Sequence, residues 1–213
     1  MDETSPEKRD DASIYLKRDA IITNIILAAL FSNFLFQYYY QIAVEAKPSA
    51  YLMFIQVTFL VIFFLIRVFP KKVSYSKRDW TVALCGTWLP MLILPTELSV
   101  EIPILTALQL LGVVVSTIGI LSLNKSFGIV PALRDVKTRG MYCFVRHPIY
   151  LGYAVSFVCI VFQNFGLLNL MLLFAIIACD VMRILAEERV LSEDLEYVAY
   201  KKRVRWRLIP FVW

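Results

Sequence analysis

The only histidine of this 213-residue chain, His147, stands between Arg146 and Pro148, with Tyr150 and Gly152 just behind. Proline suits the first position of a helix, because the N–H it lacks would be unpaired there anyway. A helix starting at Pro148 presents free N–H groups and a partial positive dipole at that end. Beside Arg146 and His147, this is a place for an anionic group such as a carboxylate. Tyr150 adds a phenol for hydrogen bonding or stacking, and Gly152 is small enough for close approach. A second reading stays open, in which Arg146 and His147 are interfacial charges meeting lipid phosphates.

Another cluster follows about thirty residues on: Asp180, Arg183, Glu187 and Glu188. Offsets of three and seven residues return to nearly the same azimuth, so 180, 183 and 187 share a helix face. Such a ladder at a helix end is commonly a solvated salt-bridge face. Here Asp180 and Arg183 still lie within apolar sequence, where unpaired charge is disfavoured, which points to a partly buried polar network. A short turn around Asn164–Asn169 joins this helix to the one at Pro148. Two antiparallel helices so joined bring Arg146, His147 and Tyr150 opposite Arg183 and Glu187.

The elements that must position these groups are apolar. Hydrophobic residues make up 59% of the chain and charged residues 18%, and the mean hydropathy is +0.66. A soluble domain has about half apolar and a quarter charged residues. Runs of about 17 to 22 apolar residues match ~30 Å of hydrocarbon at 1.5 Å per residue. The expected fold is all-α, a polytopic membrane helix bundle. Six segments can be drawn: Ile21–Ile42, Leu52–Phe69, Trp80–Leu94, Ile104–Leu123, Ile149–Phe162 and Leu167–Leu185. The third and fifth are short, and Pro90 is a candidate kink in the third.

Charge sets the orientation. The 22 basic residues fall 4, 1, 5, 0, 5, 0 and 7 in the successive flanks, with Lys47 alone in the second. That alternation predicts six crossings with both termini cytoplasmic. The first run reads as an anchor and not as a signal peptide, because its leader is long and partly acidic and its apolar stretch too long. Residues 1–123 form scaffold helices, and 124–213 form a region carrying the chemistry within one integrated membrane domain. The stretch from Lys125 to Tyr150 is too apolar for a solvated loop and should pack back on the helices. Basic residues placed between apolar runs argue against nucleic acid as a partner and for membrane lipid. Cys85, Cys143, Cys159 and Cys179 have no metal-ligand spacing, so no metal is expected.

Arg146-His147-Pro148-Ile149-Tyr150-Leu151-Gly152, preceded by Gly140-Met141-Tyr142, resembles the signature of the isoprenylcysteine carboxyl methyltransferase family. Arg183-Ile184-Leu185-Ala186-Glu187-Glu188 is similar to that family's Arg-x-x-x-Glu-Glu, and Tyr197, Tyr200, Val204 and Pro210 resemble its closing motif. The resemblance runs from about Ser126 to Pro210. It implies an integral membrane methyltransferase using S-adenosylmethionine (SAM), with its active site facing the cytoplasm. By position, the cofactor would meet Arg134, Asp135, Val136, Lys137, Tyr142, His147, Pro148, Ile149, Tyr150, Glu187 and Glu188. Arg183 and Arg146 would meet the acceptor, with Arg183 and Glu187 as the catalytic pair.

The acceptor implied is a lipophilic small molecule or lipidated peptide, with a prenylcysteine-like carboxylate favoured. A bidentate arginine suits a carboxylate, which needs no general base to attack a methyl group. Thiols and phospholipid amines are alternatives among similar enzymes. A membrane sterol-type reductase using NADPH is a further alternative, since the tail Val204–Pro210 also resembles such proteins. That class would place Asn and Asp where this chain has Ile149 and Tyr153. A non-enzymatic scaffold or transporter would show midplane charges and inverted repeats.

Overall fold

The computed structural model describes residues 6–45 and 48–213. Lys47, part of the charge alternation, lies outside them. The described residues are mostly helical, in α1 (Pro6–Glu45), α2 (Pro48–Ile66), α3 (Lys77–Trp88), α4 (Pro103–Leu123), α5 (Pro148–Gln163), α6 (Leu167–Leu191) and α7 (Leu195–Arg203). Three stretches are long and apolar enough to cross a membrane: Ile21–Val44, Pro103–Ser126 and Leu167–Leu191. By length and composition this is an all-helical membrane protein. The 16 residues of α5 reach about 24 Å, and the 12 of α3 about 18 Å, short of a ~30 Å hydrocarbon core.

Proline sets several of the boundaries. Pro103 and Pro148 each open a helix at its first turn, where a missing N–H costs nothing. Pro90 does not kink a continuous helix. The α-helix stops at Trp88, and Leu89–Leu92 continue as a 3-10 turn, because the ring of a proline clashes with the α-helical path before it.

Two compact units are present, one ending at Phe69 and the other spanning Pro70–Trp213. In the first, α1 and α2 pack as an antiparallel hairpin. Phe31 meets Phe64 at 5.2 Å between ring centres, and Arg67, just past α2, donates to the side chain of Asn24 near the start of α1's apolar stretch. Ala28, Phe31, Leu60 and Phe64 are buried, while Ile21, Ile25, Phe36 and Leu65 face outward. Apolar residues on both faces are a liability in water and suit a lipid surround.

In the second unit α4 packs on α5, α5 on α6, and α6 on α3. The α4–α5 crossing is made by small residues, Gly112 and Ser116 against Gly152 and Ser156. A Cβ on Gly152 would overlap the Gly112 carbonyl and the Ser116 amide, and one on Gly112 would overlap Ser156. Close backbone approach through small residues is how helices associate where lipid gives no hydrophobic drive. The close approach expected of Gly152 is thus to a neighbouring helix. Gln163 Nε2 donates to Gln109 Oε1 at 3.2 Å across the same pair of helices.

A short antiparallel pair, β1 (Lys72–Val73) and β2 (Ala132–Leu133), sets Lys72 opposite Leu133 and Val73 opposite Ala132. It fixes the segment between α4 and α5 against the chain leading into α3. Ser126, Ile129, Arg134, Tyr142, Val145, Arg146 and His147 are all buried, so that segment packs back on the helices. At the start of α3, Asp79 accepts from Ser74 and Arg189. Burial pushes the Asp79 carboxyl up, but those two hydrogen bonds and the charges of Arg189 and Arg78 outweigh it and hold it below the usual range.

Candidate functional site

His147 is the last residue before α5 and Pro148 the first within it; Leu151 N–H closes the first turn onto the His147 carbonyl at 3.2 Å. The imidazole does not cap that helix. It projects to α6, where adjacent glutamates diverge by the ~100° between successive helical residues. His147 Nδ1 lies 3.7 Å from Glu187 Oε2, and its Nε2 lies 3.4 Å from Glu188 Oε1. The histidine therefore stands between two carboxylates with different surroundings.

Glu188 is the buried one. Arg146 Nε donates to its Oε1 at 2.7 Å, and Arg207 Nε to its Oε2 at 3.0 Å. Lys201 Nζ stands 3.6 Å from the same Oε2. The Arg146 and Glu188 side chains are each only 4% exposed, so this is a desolvated ion pair whose remaining lone pairs and protons need partners. They have them, since Arg146 also donates from one terminal nitrogen to the carbonyls of Val204 and Arg205 at 2.9 and 2.8 Å.

Glu187 is the accessible one, with its side chain 21% exposed. It accepts a hydrogen bond from the Tyr150 hydroxyl. The Tyr150 ring in turn lies under the Arg183 guanidinium, 5.1 Å from centroid to Cζ, a cation–π contact. Arg183 is buried on α6, with NH1 3.5 Å from Asp180 Oδ1 and NH2 donating to the Ile129 carbonyl at 3.4 Å. Gly86 of α3 makes room for it, because a Cβ there would stand 3.0 Å from Arg183 Cδ. Two polar atoms at this spot have no hydrogen-bond partner, Arg183 Nε and Asp180 Oδ1. The ion pair between the two side chains is too long to be a hydrogen bond.

A phenol cluster flanks the network. Tyr142, Tyr197 and Tyr200 are buried together, and Tyr200 donates to the Tyr142 carbonyl at 2.8 Å. Burial pushes all three phenols above their ordinary value, so they stay neutral.

The structure thus brings Arg146, His147, Tyr150, Arg183, Glu187 and Glu188 into direct contact or one residue apart. The other residues singled out lie around this group. Pro148 and Ile149 are buried, with the Ile149 side chain lying against Gly119. Val136 packs on the phenol cluster, Asp135 pairs with Lys71 at 3.7 Å, and Arg134 is buried against Gly128. Val136 and Lys137 also line an open pocket of about 340 Å³ with Leu121, Ser122, Asn124 and Arg139. Among the described residues, no three of His, Cys, Asp and Glu converge as metal ligands would.

Two members of the network escaped the sequence reading, Arg207 and Lys201. Their signal is the charge run Lys201-Lys202-Arg203-x-Arg205-x-Arg207, which by itself does not say which cations turn inward. Compared with protein-family models and with curated proteins, the chain matches none.

Proposed function

We propose that the chain is an integral membrane methyltransferase that moves a methyl group from SAM to a lipophilic acceptor bearing a carboxylate. The observation that carries this reading is the buried Arg183 with an unpartnered Nε, set beside the accessible Glu187 and the Tyr150 hydroxyl. A buried donor without a partner is costly, and a carboxylate is its natural complement. The residues also fit the cofactor. Glu187 accepts hydrogen bonds from hydroxyls such as those of a ribose, and the phenol rings nearby suit a cationic group.

When bound, SAM supplies an electrophilic methyl group on a sulfonium. The chain's own residues then have separate tasks. Glu187, oriented by Tyr150 and His147, holds the cofactor's hydroxyls. Arg183, braced by Tyr150, Asp180 and the Ile129 carbonyl, fixes the acceptor carboxylate in line with the methyl carbon. Positioning of this kind supplies most of the rate enhancement when the nucleophile is already ionised. Pro148 and the Arg146–Glu188 pair hold the foot of α5 against α6, so that these groups keep their spacing.

Calorimetry on detergent-solubilised protein tests the reading. SAM or S-adenosylhomocysteine should bind, and Glu187→Ala should weaken binding by roughly 10- to 100-fold, the loss of a charge-assisted hydrogen-bond acceptor. Unchanged affinity in that variant removes Glu187 from the site, and binding of NADPH in place of SAM overturns the methyltransferase.

The same reading takes α2, α3 and α5 as crossings alongside the three longer apolar helices, with both termini cytoplasmic. The alternation of basic residues supports it. Short crossings are accommodated by local thinning of the bilayer. Reporter fusions after Glu97 and after Trp213 should report opposite compartments. If both report the same one, the six-crossing map fails.

A further inference from the structure

Beyond α7 the chain doubles back and is pinned at the foot of α5: Arg146 N–H donates to the Trp206 carbonyl and His147 N–H to that of Arg207, both at 2.9 Å. It then closes a turn. The N–H groups of Val212 and Trp213 both reach the Ile209 carbonyl at 3.1 Å, and those of Arg207 and Leu208 reach the Trp213 oxygen at 2.9 and 3.0 Å. Trp206 lies against the Phe211 ring at 5.2 Å, and Arg207 against the Trp213 ring at 5.0 Å. This is a built turn, and it holds its most apolar residues outward. Phe211 is 87% exposed and Val212 73%.

Phe211 also has φ of 67°, a left-handed conformation that a side-chain-bearing residue enters at a cost. The ring touches Trp206 within the protein, yet most of its surface is left outward on an unfavourable backbone. The charge around it is one-sided. Lys201, Lys202, Arg203, Arg205 and Arg207 precede the turn with no acidic residue among them. Arg207 and Lys201 turn inward to Glu188, whereas Lys202, Arg203 and Arg205 remain exposed. The attachment to the foot of α5, next to the polar end of α6, puts the turn at the level where these apolar helices meet water.

From this combination we infer that the Ile209–Val212 turn is an interfacial anchor that docks on an anionic membrane surface. Phe211 and Val212 enter the headgroup boundary, while Lys202, Arg203 and Arg205 meet lipid phosphates. Aromatic rings favour that depth, and a basic cluster beside a membrane helix is drawn to acidic lipid. A turn that is apolar at its tip and cationic at its base complements such a surface on both counts. The inference does not depend on methyl transfer.

The test uses the full chain in nanodiscs of phosphatidylcholine, with and without phosphatidylglycerol. Val212→Cys in a Cys143→Ser background carries a fluorescent label, and the same background without Val212→Cys corrects for the remaining cysteines. With phosphatidylglycerol present, access of aqueous acrylamide, a neutral quencher that the surface charge does not repel, should fall by about fivefold or more at the label, and shallow nitroxide lipids should quench it. Lys202→Glu, Arg203→Glu and Arg205→Glu together should restore acrylamide access, while Arg207 and Lys201 keep their internal partners. Full acrylamide access in both lipids overturns the anchor, and equal shielding in neutral lipid overturns the anionic surface.

Discussion

Glu188→Ala is expected to destabilise the protein by about 3–5 kcal/mol, the cost of leaving a buried partner charge uncompensated. In a chain of this size that lowers the unfolding temperature by on the order of 10 °C. The reason lies in the geometry. The carboxylate answers Arg146 and Arg207 by hydrogen bonds and has Lys201 3.6 Å away. Arg207 and Lys201 are 27% and 40% exposed and turn to water when it is lost. Arg146 cannot, because its side chain is 4% exposed and its other donors are tied to Val204 and Arg205. Replacing both members, as in Arg146→Met with Glu188→Met, should cost less than Glu188→Ala alone, since apolar groups of similar volume remove the stranded charge. Thermal unfolding in detergent followed by circular dichroism measures both. A double variant as unstable as the single one would mean that the pair's contribution is packing and not charge.

That carboxylate also shows where sequence and structure part company. The apolar helices are legible because twenty-odd residues of one character have few alternatives, and prolines mark their starts: α4 and α5 begin at Pro103 and Pro148, one residue before the apolar runs. Chemistry hides their ends. Helix α6 runs on to Leu191, six residues past its last apolar run, because Glu187, Glu188 and Arg189 are good helix formers whose charges find partners. The pairing of Arg183 with Asp180 is visible as an i, i+3 spacing on one face. Contacts that close long loops have no such signature. Arg146 reaches Glu188 across 42 residues and the Val204 carbonyl across 58, and nothing local in either segment encodes the match. The small residues of α4 and α5 lie between these cases: Gly112-x-x-x-Ser116 and Gly152-x-x-x-Ser156 are readable as packing faces, but not as partners of each other.

Arg183→Ala, combined with Asp180→Asn so that no unpaired carboxylate is left buried, is expected to lower turnover of a carboxylate acceptor by roughly 10²- to 10³-fold. SAM affinity should change by less than about threefold, because in the proposed division of labour Glu187 and not Arg183 serves the cofactor. The two readouts separate because the side chains are arranged in series. Tyr150 touches both, donating to Glu187 and lying under Arg183, but Glu187 keeps Tyr150 and His147 as neighbours when the guanidinium is gone. Asp180→Asn alone is the control for the added substitution and should retain most of the activity, since Arg183 still meets the Tyr150 ring and the Ile129 carbonyl. Loss of SAM binding together with turnover would assign Arg183 to the cofactor or to holding α6 against the Ile129 segment. The charge argument also ranks acceptors. A guanidinium attracts a carboxylate, gives a neutral thiol little, and repels an ammonium head. The variant should therefore lose its preference for a carboxylate over a thiol of the same apolar tail. An unchanged preference of the variant for the carboxylate over the thiol would show that Arg183 does not select the acceptor and would remove the carboxylate from the proposal.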